Sequence, residues 1–339
     1  MEINYFVKMN KKKQLTSRRW YIDEINIIQE EFSLNTNVKF MNIKLNKDIY
    51  FSWWAQTSLI SVLLAKLLGK KSIVVAGGSE VTTMIPNFGY NSKGVFKRWL
   101  IKSTLNLCDK IIAVSEFNKS EILDIIGDNN EDKIEVIYHC VSDEYKPNSS
   151  FDYTSQKYIL MITALTKNNV KRKAVLESIK AINKLRKKIP DINLFIIGRK
   201  ENGYKKVKET IEKLDLQDNI KILGEVDEEE KIEYLKNAYC YLQPTNHEQF
   251  GVAIAEAMAC GLPVISTATA AVPEVVGECG VLIKENSESE ISNAIMNLYQ
   301  NESNRNSIAK KARKRVIEKF SYREKKKRLI NLIKNTNKT

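Results

Sequence analysis

The chain has 339 residues, enough for two domains of ordinary size that each bury a core. Its 54 lysines and arginines against 41 acids give a net charge of +13, which favours polyanions; with no zinc finger or RNP-type aromatic motif, nucleic acid is not an expected partner, and anionic lipid headgroups are the better candidate. Five scattered cysteines without a CxxC pair, only two histidines, and no HEXXH or DXD triplet argue against a disulfide framework or a metal site and fit a reducing cytoplasm, while the longest apolar run, residues 58–68, is too short to span a membrane and no signal peptide precedes it.

In chain order, the short apolar runs at residues 3–7, 38–43, 48–52, 72–76, 110–114 and 133–138 read as strands. Residues 19–32, 57–68, 94–107 and 116–126 between them have helical length and spacing. Such alternation predicts a parallel sheet covered on both faces. The polar stretch Pro147-Asn148-Ser149-Ser150 suits a linker. The rhythm then restarts, with strands at 158–163, 193–197, 220–223, 239–243, 263–266 and 281–283 and helices at 174–188, 204–214, 228–237 and 251–260, so a second doubly wound sheet is expected. Residues 287–300, 302–320 and 322–333 are terminal helices. Gly77-Gly78, Gly198 and Gly224 each follow a predicted strand, where a missing side chain lets backbone approach a ligand; a tight turn explains any one of them equally well.

The strongest functional signal lies between His247 and Ile265. The helix at 251–260 is apolar nearly all round, yet carries Glu256. A buried carboxylate needs a partner. Helical side chains lean toward the amino end, which points Glu256 toward Gly251, where unpaired amides and the helix dipole favour a phosphate. Glu248 sits on the loop just before. Together these residues can hold a sugar nucleotide, with the diphosphate at the helix start, Glu256 on the ribose and Glu248 on the transferred sugar.

Pro244-Thr245-Asn246-His247-Glu248-Gln249-Phe250-Gly251 resembles Pro-Ser-x-x-Glu-x-Phe-Gly, and Glu256-Ala257-Met258-Ala259-Cys260-Gly261-Leu262-Pro263-Val264 resembles Glu-Ala-Met-Ala-x-Gly-x-Pro-Val. In both segments the chain is similar to family-4 glycosyltransferases, whose signature is Glu-x7-Glu. The resemblance covers the second half of the chain fully and the first weakly. It implies an α/β protein of the GT-B fold, two doubly wound parallel-sheet (Rossmann-like) domains facing a cleft: an acceptor-side domain at 1–148, a nucleotide-sugar domain at 149–320, and a helix at 321–339 crossing back to the first. It also implies a retaining hexosyl or N-acetylhexosaminyl transfer from a UDP- or GDP-linked donor, without a further cofactor, to a hydroxyl of a glycan or lipid-linked saccharide.

Residue by residue, Lys173, placed at the start of the helix at 174–188, matches the family's donor-phosphate lysine. The customary arginine is replaced at Ala164, in Ile162-Thr163-Ala164-Leu165, and a glycine by Ala174; Arg172 is a candidate to supply the missing charge. Phe250, Gly251 and Val252 fall in the donor loop. Gly198 and the segment Gly224-Glu225-Val226 fall where the nucleotide is received on backbone groups. Gly77-Gly78-Ser79-Glu80 matches a loop beside the transferred sugar and makes Glu80 a candidate sugar or acceptor contact, the alternative being an exposed turn carboxylate. Ser115-Glu116 matches a Ser-Glu segment of the family, and a helix N-cap explains it equally well. Trp53-Trp54 either lines an acceptor groove or packs core and rim. Two further departures are Ala270-Ala271 in place of Gly-Gly and His139-Cys140-Val141-Ser142 in place of Asn-Gly-Val-Asp.

The basic runs, Lys11-Lys12-Lys13 and the tail from Lys310 to Arg328 foremost, suit either an anionic membrane surface or solvated helix faces. Two other functional classes therefore stand beside the transferase: an inactive sugar-nucleotide binder, given Ala164, and a basic membrane-surface partner protein.

Overall fold

A computed structural model describes residues 1–10, 15, 18–148 and 158–338; the Lys11-Lys12-Lys13 cluster and Ser149-Ser150 of the expected linker lie outside the described residues. The chain divides into two compact units, Met1–Cys140 with Tyr322–Thr339, and Val141–Ser321.

The first unit runs β1 (Glu2–Val7), α1 (Arg19–Gln29), β2 (Ser33–Asn37), β3 (Ile49–Trp53), α2 (Ala55–Leu67), β4 (Lys71–Val75), α3 (Val95–Leu107), β5 (Lys110–Ala113), α4 (Glu116–Ile126) and β6 (Ile134–Val136). Its sheet is parallel throughout, in the order β2-β1-β3-β4-β5-β6. Helices on both faces explain why β3 is buried along its whole length and reads as a continuous apolar run rather than an alternating one.

A strand was expected at 38–43, and here the structure differs. The edge strand β2 uses the polar sequence Ser33-Leu34-Asn35-Thr36-Asn37, with Asn37 donating to Asn4 at 2.8 Å, and residues Phe40–Asn42 form a single 3-10 turn. An edge position tolerates polar residues. The apolar residues of 38–43 cap the sheet instead, Phe40 packing on Phe6 with ring centroids 4.9 Å apart.

The second unit runs β7 (Tyr158–Ile162), α5 (Lys167–Arg172), α6 (Val175–Leu185), β8 (Asn193–Ile197), α7 (Tyr204–Lys213), β9 (Ile220–Gly224), α8 (Glu228–Lys236), β10 (Cys240–Gln243), α9 (Val252–Ala259), β11 (Val264–Thr267), α10 (Val272–Val276), β12 (Val281–Ile283), α11 (Glu288–Gln300) and α12 (Glu302–Lys319). Its parallel sheet has the order β12-β11-β10-β7-β8-β9, so the direction of winding reverses between β7 and β10. Ligands gather beyond the carboxyl ends of strands at such a point.

The last helix, α13 (Tyr322–Lys338), belongs to the first unit. Leu329 and Ile333 bury its apolar face, and Lys325 lies 3.6 Å from the buried Glu24, whose carboxylate also accepts from the Tyr5 hydroxyl at 2.8 Å and from the Trp53 indole. Part of the basic tail is therefore engaged inside the protein, while Lys310, Lys311, Lys314, Lys319, Arg323, Lys327 and Arg328 stand exposed. Lys326 pairs with Glu30 at 2.6 Å, Arg313 donates to the carbonyls of Tyr145 and Ala259, and Arg315 donates to those of Glu274 and Val275.

Two departures from the family pattern acquire a backbone meaning. Ala174 and Ala270 both adopt left-handed conformations, with φ of +43° and +50°, at positions where the resembled family carries glycine. A Cβ in that region costs roughly 1–2 kcal/mol. Ala174 buries its methyl completely, whereas Ala270 is half-exposed and loses little packing on truncation. Ala270→Gly should accordingly raise unfolding stability by about 0.5–1 kcal/mol, with Ala174→Gly gaining less. Denaturant melts of the two variants check this, and destabilisation by Ala270→Gly would count against the left-handed assignment.

Candidate active site

The loops after β7 and β10, the two strands flanking the reversal, bring the main cluster together. After β10, Pro244 to Gly251 leads into α9; Gly251 takes φ +93°, and its carbonyl accepts from the Ile254 amide at 2.9 Å and the Ala255 amide at 3.1 Å. The amides of Val252 and Ala253 precede those bonds, and such amides at a helix start favour an anion. After β7, the chain makes the short helix α5, and Lys173 follows it. Lys173 was placed at a helix start; it lies between α5 and α6 instead, because Ala174 turns the backbone through the left-handed region.

The Glu248 carboxylate accepts from Arg172 at 2.8 Å and from the Gln243 amide at 2.9 Å, with the Lys173 ammonium at 3.7 Å. Arg172 also donates to the His247 carbonyl at 2.6 Å. Lys173 donates to Gln243 Oε1 at 3.1 Å and to the Ile162 carbonyl at 3.3 Å, and Tyr241 donates to the same Gln243 oxygen at 2.6 Å. Burial alone would raise the Glu248 pKa, but Lys173 and then Arg172 outweigh it and hold the carboxyl below its ordinary value. Burial pulls the Lys173 ammonium down, and Glu248 offsets only part of the effect.

Glu256 is 6% exposed and finds its partner in α8: both carboxylate oxygens accept from Lys231 at 3.2 Å. Lys231 also pairs with Glu228 at 3.1 Å and stands over the Tyr145 ring, whose hydroxyl donates to Glu228. Burial raises the Glu256 pKa, with Lys231 opposing and Glu228 adding to the rise. Neither Lys231 nor Tyr145 was singled out from sequence. Lys231 has a visible signal in its i,i+3 spacing from Glu228, while Tyr145 has none.

The remaining candidates divide by what their side chains do. Phe250 is buried and packs edge-on against Phe320 with ring centroids 5.2 Å apart, so its ring belongs to the core. Gly198 lies so close to Thr163 that a Cβ would overlap the Thr163 carbonyl, and its amide bonds to the Gly224 carbonyl at 2.7 Å. Gly198 thus serves close backbone packing between β7, β8 and β9. Beyond it, Arg199, Lys200, Glu201, Gly224 and Glu225 line an open depression of about 720 Å³. Val226 follows at its edge, half-buried.

In the first unit, Glu80 sits on a 3-10 turn after β4 and is buried, not the exposed turn carboxylate that was its alternative. Gly78 is required beside it, since a Cβ there would overlap the Trp54 ring. Burial pushes the Glu80 pKa up to about 7, opposed by hydrogen bonds from the amides of Glu80 and Ala55, and its Oε1 has no partner among the described residues. Trp53 is core, and Trp54 donates to the Tyr21 hydroxyl at 2.8 Å from a rim position. Ser115 caps α4, accepting the Asn118 amide at 2.9 Å. No cluster of three metal-ligating side chains occurs among the described residues.

Two six-stranded parallel sheets with flanking helices are the architecture of GT-B glycosyltransferases. The crystal structure of Anabaena Alr3699/HepE in complex with UDP matches with a TM-score of 0.80 at 14% identity, over 99% of this chain and 100% of that one. Residues 143–315 match the family described as Glycosyl transferases group 1, and the chain belongs to that family of transferases. Among curated relatives, the uncharacterized glycosyltransferase MJ1178 of Methanocaldococcus jannaschii is 27% identical over 265 residues, 78% of this chain and 68% of its own length. The N-acetyl-alpha-D-glucosaminyl L-malate synthase of Bacillus anthracis is 24% identical over 284 residues, 81% of this chain and 71% of that protein.

The Glu80 carboxyl gives a direct pH test. Its folded pKa of about 7 lies above the ordinary 4.5, so the neutral acid favours folding; that contribution is complete below pH 4.5 and disappears as pH rises through 7. The rise from 4.5 to about 7 corresponds to about 3 kcal/mol. Glu80→Gln should flatten the fall in stability across this window and leave the variant more stable than wild type above pH 7. Parallel pH profiles of the urea midpoint decide it, and identical slopes would show that Glu80 is ionised throughout.

Proposed function

We propose that this group 1 transferase is a retaining, family-4-type enzyme that moves a hexose or N-acetylhexosamine from a nucleotide diphosphate sugar to a hydroxyl acceptor. The observation that carries the reading is the convergence of Glu248, Arg172 and Lys173 beside the start of α9, where two loops leave the reversal point of the sheet. In this reading the diphosphate sits on the α9 amides of Gly251 and Val252 and takes the remaining hydrogen-bond donors of Arg172 and Lys173. Glu256 exchanges part of its pairing with Lys231 for the ribose hydroxyls, the base rests on the backbone at Gly224 and Val226, and Glu248 contacts the transferred sugar. UDP is the favoured nucleotide because the Anabaena neighbour binds UDP, and an N-acetylglucosaminyl donor is supported by the name of the Bacillus anthracis relative.

Transfer proceeds on one face of the sugar. The bond from C1 to the β-phosphate oxygen breaks, the acceptor oxygen bonds to C1 from the same side, and the acceptor proton passes to the departing phosphate. Arg172, Lys173 and the α9 amides stabilise the charge that develops on that phosphate, which is the largest contribution such a site makes. The scheme uses no metal and no further cofactor. Glu80, a carboxyl able to lose its proton near pH 7, is the acceptor-side candidate. The acceptor is a glycan or lipid-linked saccharide, placing the enzyme in the cytoplasm at the inner face of a membrane.

A second reading, a donor binder without turnover, has one observation in its favour: Ala164 stands where the resembled family carries arginine. Turnover separates the two.

Glu256→Ala should weaken UDP binding by about 1.5–3 kcal/mol, the range for losing a charged hydrogen-bond partner. Glu248→Gln should leave UDP affinity unchanged or slightly tighter, since its removal frees Arg172 and Lys173, while lowering turnover by roughly 10²-fold. Calorimetry with UDP and nucleotide release from UDP-sugars measure the two effects. Equal losses of affinity in both variants would contradict the division of roles.

A further inference from the structure

We propose that the outer face of α2 and α3 is a docking surface for an anionic lipid bilayer. The sheet advances β3, β4, β5 in one direction, and right-handed crossovers then place α2 and α3 on the same side, where they pack against each other. Their inner faces are buried through Ser58, Val62 and Ala65 of α2 and Ile101 and Leu105 of α3. The opposite faces should be polar in a protein surrounded only by water.

They are apolar instead. Ile60, Leu63 and Leu67 of α2 stand exposed, and on α3 Val95, Phe96 and Trp99 are 76%, 69% and 55% exposed, with the two rings stacked at 5.9 Å. Exposed apolar side chains gathered on two packed helices in this way mark an interaction surface.

Charge selects the occupant. Residues 49–108 contain seven lysines and arginines and one acid, Glu80, which is buried. Lys70 and Lys71 lie near Asp48 and Asp109, and the other five, Lys66, Lys93, Lys97, Arg98 and Lys102, lie on or beside the two helices, neither of which carries a carboxylate. Cations ringing an aromatic and aliphatic patch fit the boundary of an anionic membrane: Phe96 and the α2 leucines enter the acyl edge, Trp99 sits at the headgroup level, and the lysines reach up to lipid phosphates. No described helix is long and apolar enough to cross a membrane, so attachment through this face is peripheral. The surface deepens the proposed membrane-proximal acceptor, and it places the contact on α2 and α3 rather than on the basic tail.

Flotation of the full chain with vesicles of equimolar phosphatidylglycerol and phosphatidylcholine, against pure phosphatidylcholine, tests the proposal. Binding is expected only to the anionic vesicles, with Phe96→Ser/Trp99→Ser reducing the bound fraction by at least about tenfold while retaining the wild-type circular dichroism melt. Lys310→Glu/Lys311→Glu on α12 should bind nearly as wild type. The proposal is overturned if wild type ignores anionic vesicles, if the α12 variant alone loses binding, or if sedimentation shows a dimer that Phe96→Ser/Trp99→Ser breaks. Flotation needs no donor, so a chain that binds these vesicles but not UDP would defeat the donor reading and leave this one standing.

Discussion

A carboxylate taken out of water must be met by positive charge or by hydrogen-bond donors, and the second unit is arranged around two that are. Glu248 gathers Arg172, Lys173 and Gln243; Glu256 gathers Lys231. Removing one partner from such a group leaves an uncompensated buried charge, which costs about 3–5 kcal/mol. The requirement ties the loop after β7 to the loop after β10 and ties α8 to α9. It therefore holds in place the same backbone amides and cations that an incoming diphosphate would meet.

The first unit solves the same problem differently. Glu24, buried under the sheet, is met by Lys325 from the far end of the sequence, together with Tyr5 and Trp53. Burial raises the Glu24 pKa and Lys325 opposes it. A charge that reads as part of a basic tail is thus the structural counter-ion of Glu24 and ties α13 to α1. Other cations of the excess stand on α2 and α3, neither of which carries an acid to neutralise them.

The alternation of apolar runs and helical spacings was legible because parallel strands buried on both faces read as continuous apolar segments, as in β3 and β4. β2 was misplaced for the complementary reason: an edge strand made of Ser33, Asn35, Thr36 and Asn37 carries no apolar signal. The short helices α5 and α10 escaped notice because five or six residues cannot display a helical period. Within the candidate site, Glu256 stands out as an acid in an apolar helix, and Glu248 by its position eight residues before it. Their partners are set by tertiary packing, so nothing in the local sequence around Glu256 announced Lys231 or Tyr145. The alanines at 174 and 270 looked like lost glycines, and the backbone shows the conformational reason a glycine suits those positions.

The central claim is that the second unit binds a nucleotide diphosphate at the start of α9. A crystal structure of the protein soaked with UDP tests it most directly. The account expects the diphosphate against the amides of Gly251 and Val252 within reach of Arg172 and Lys173, and the ribose hydroxyls on Glu256. Density for UDP elsewhere, or a bound UDP that leaves the Glu256–Lys231 pair and the α9 amides untouched, would contradict it.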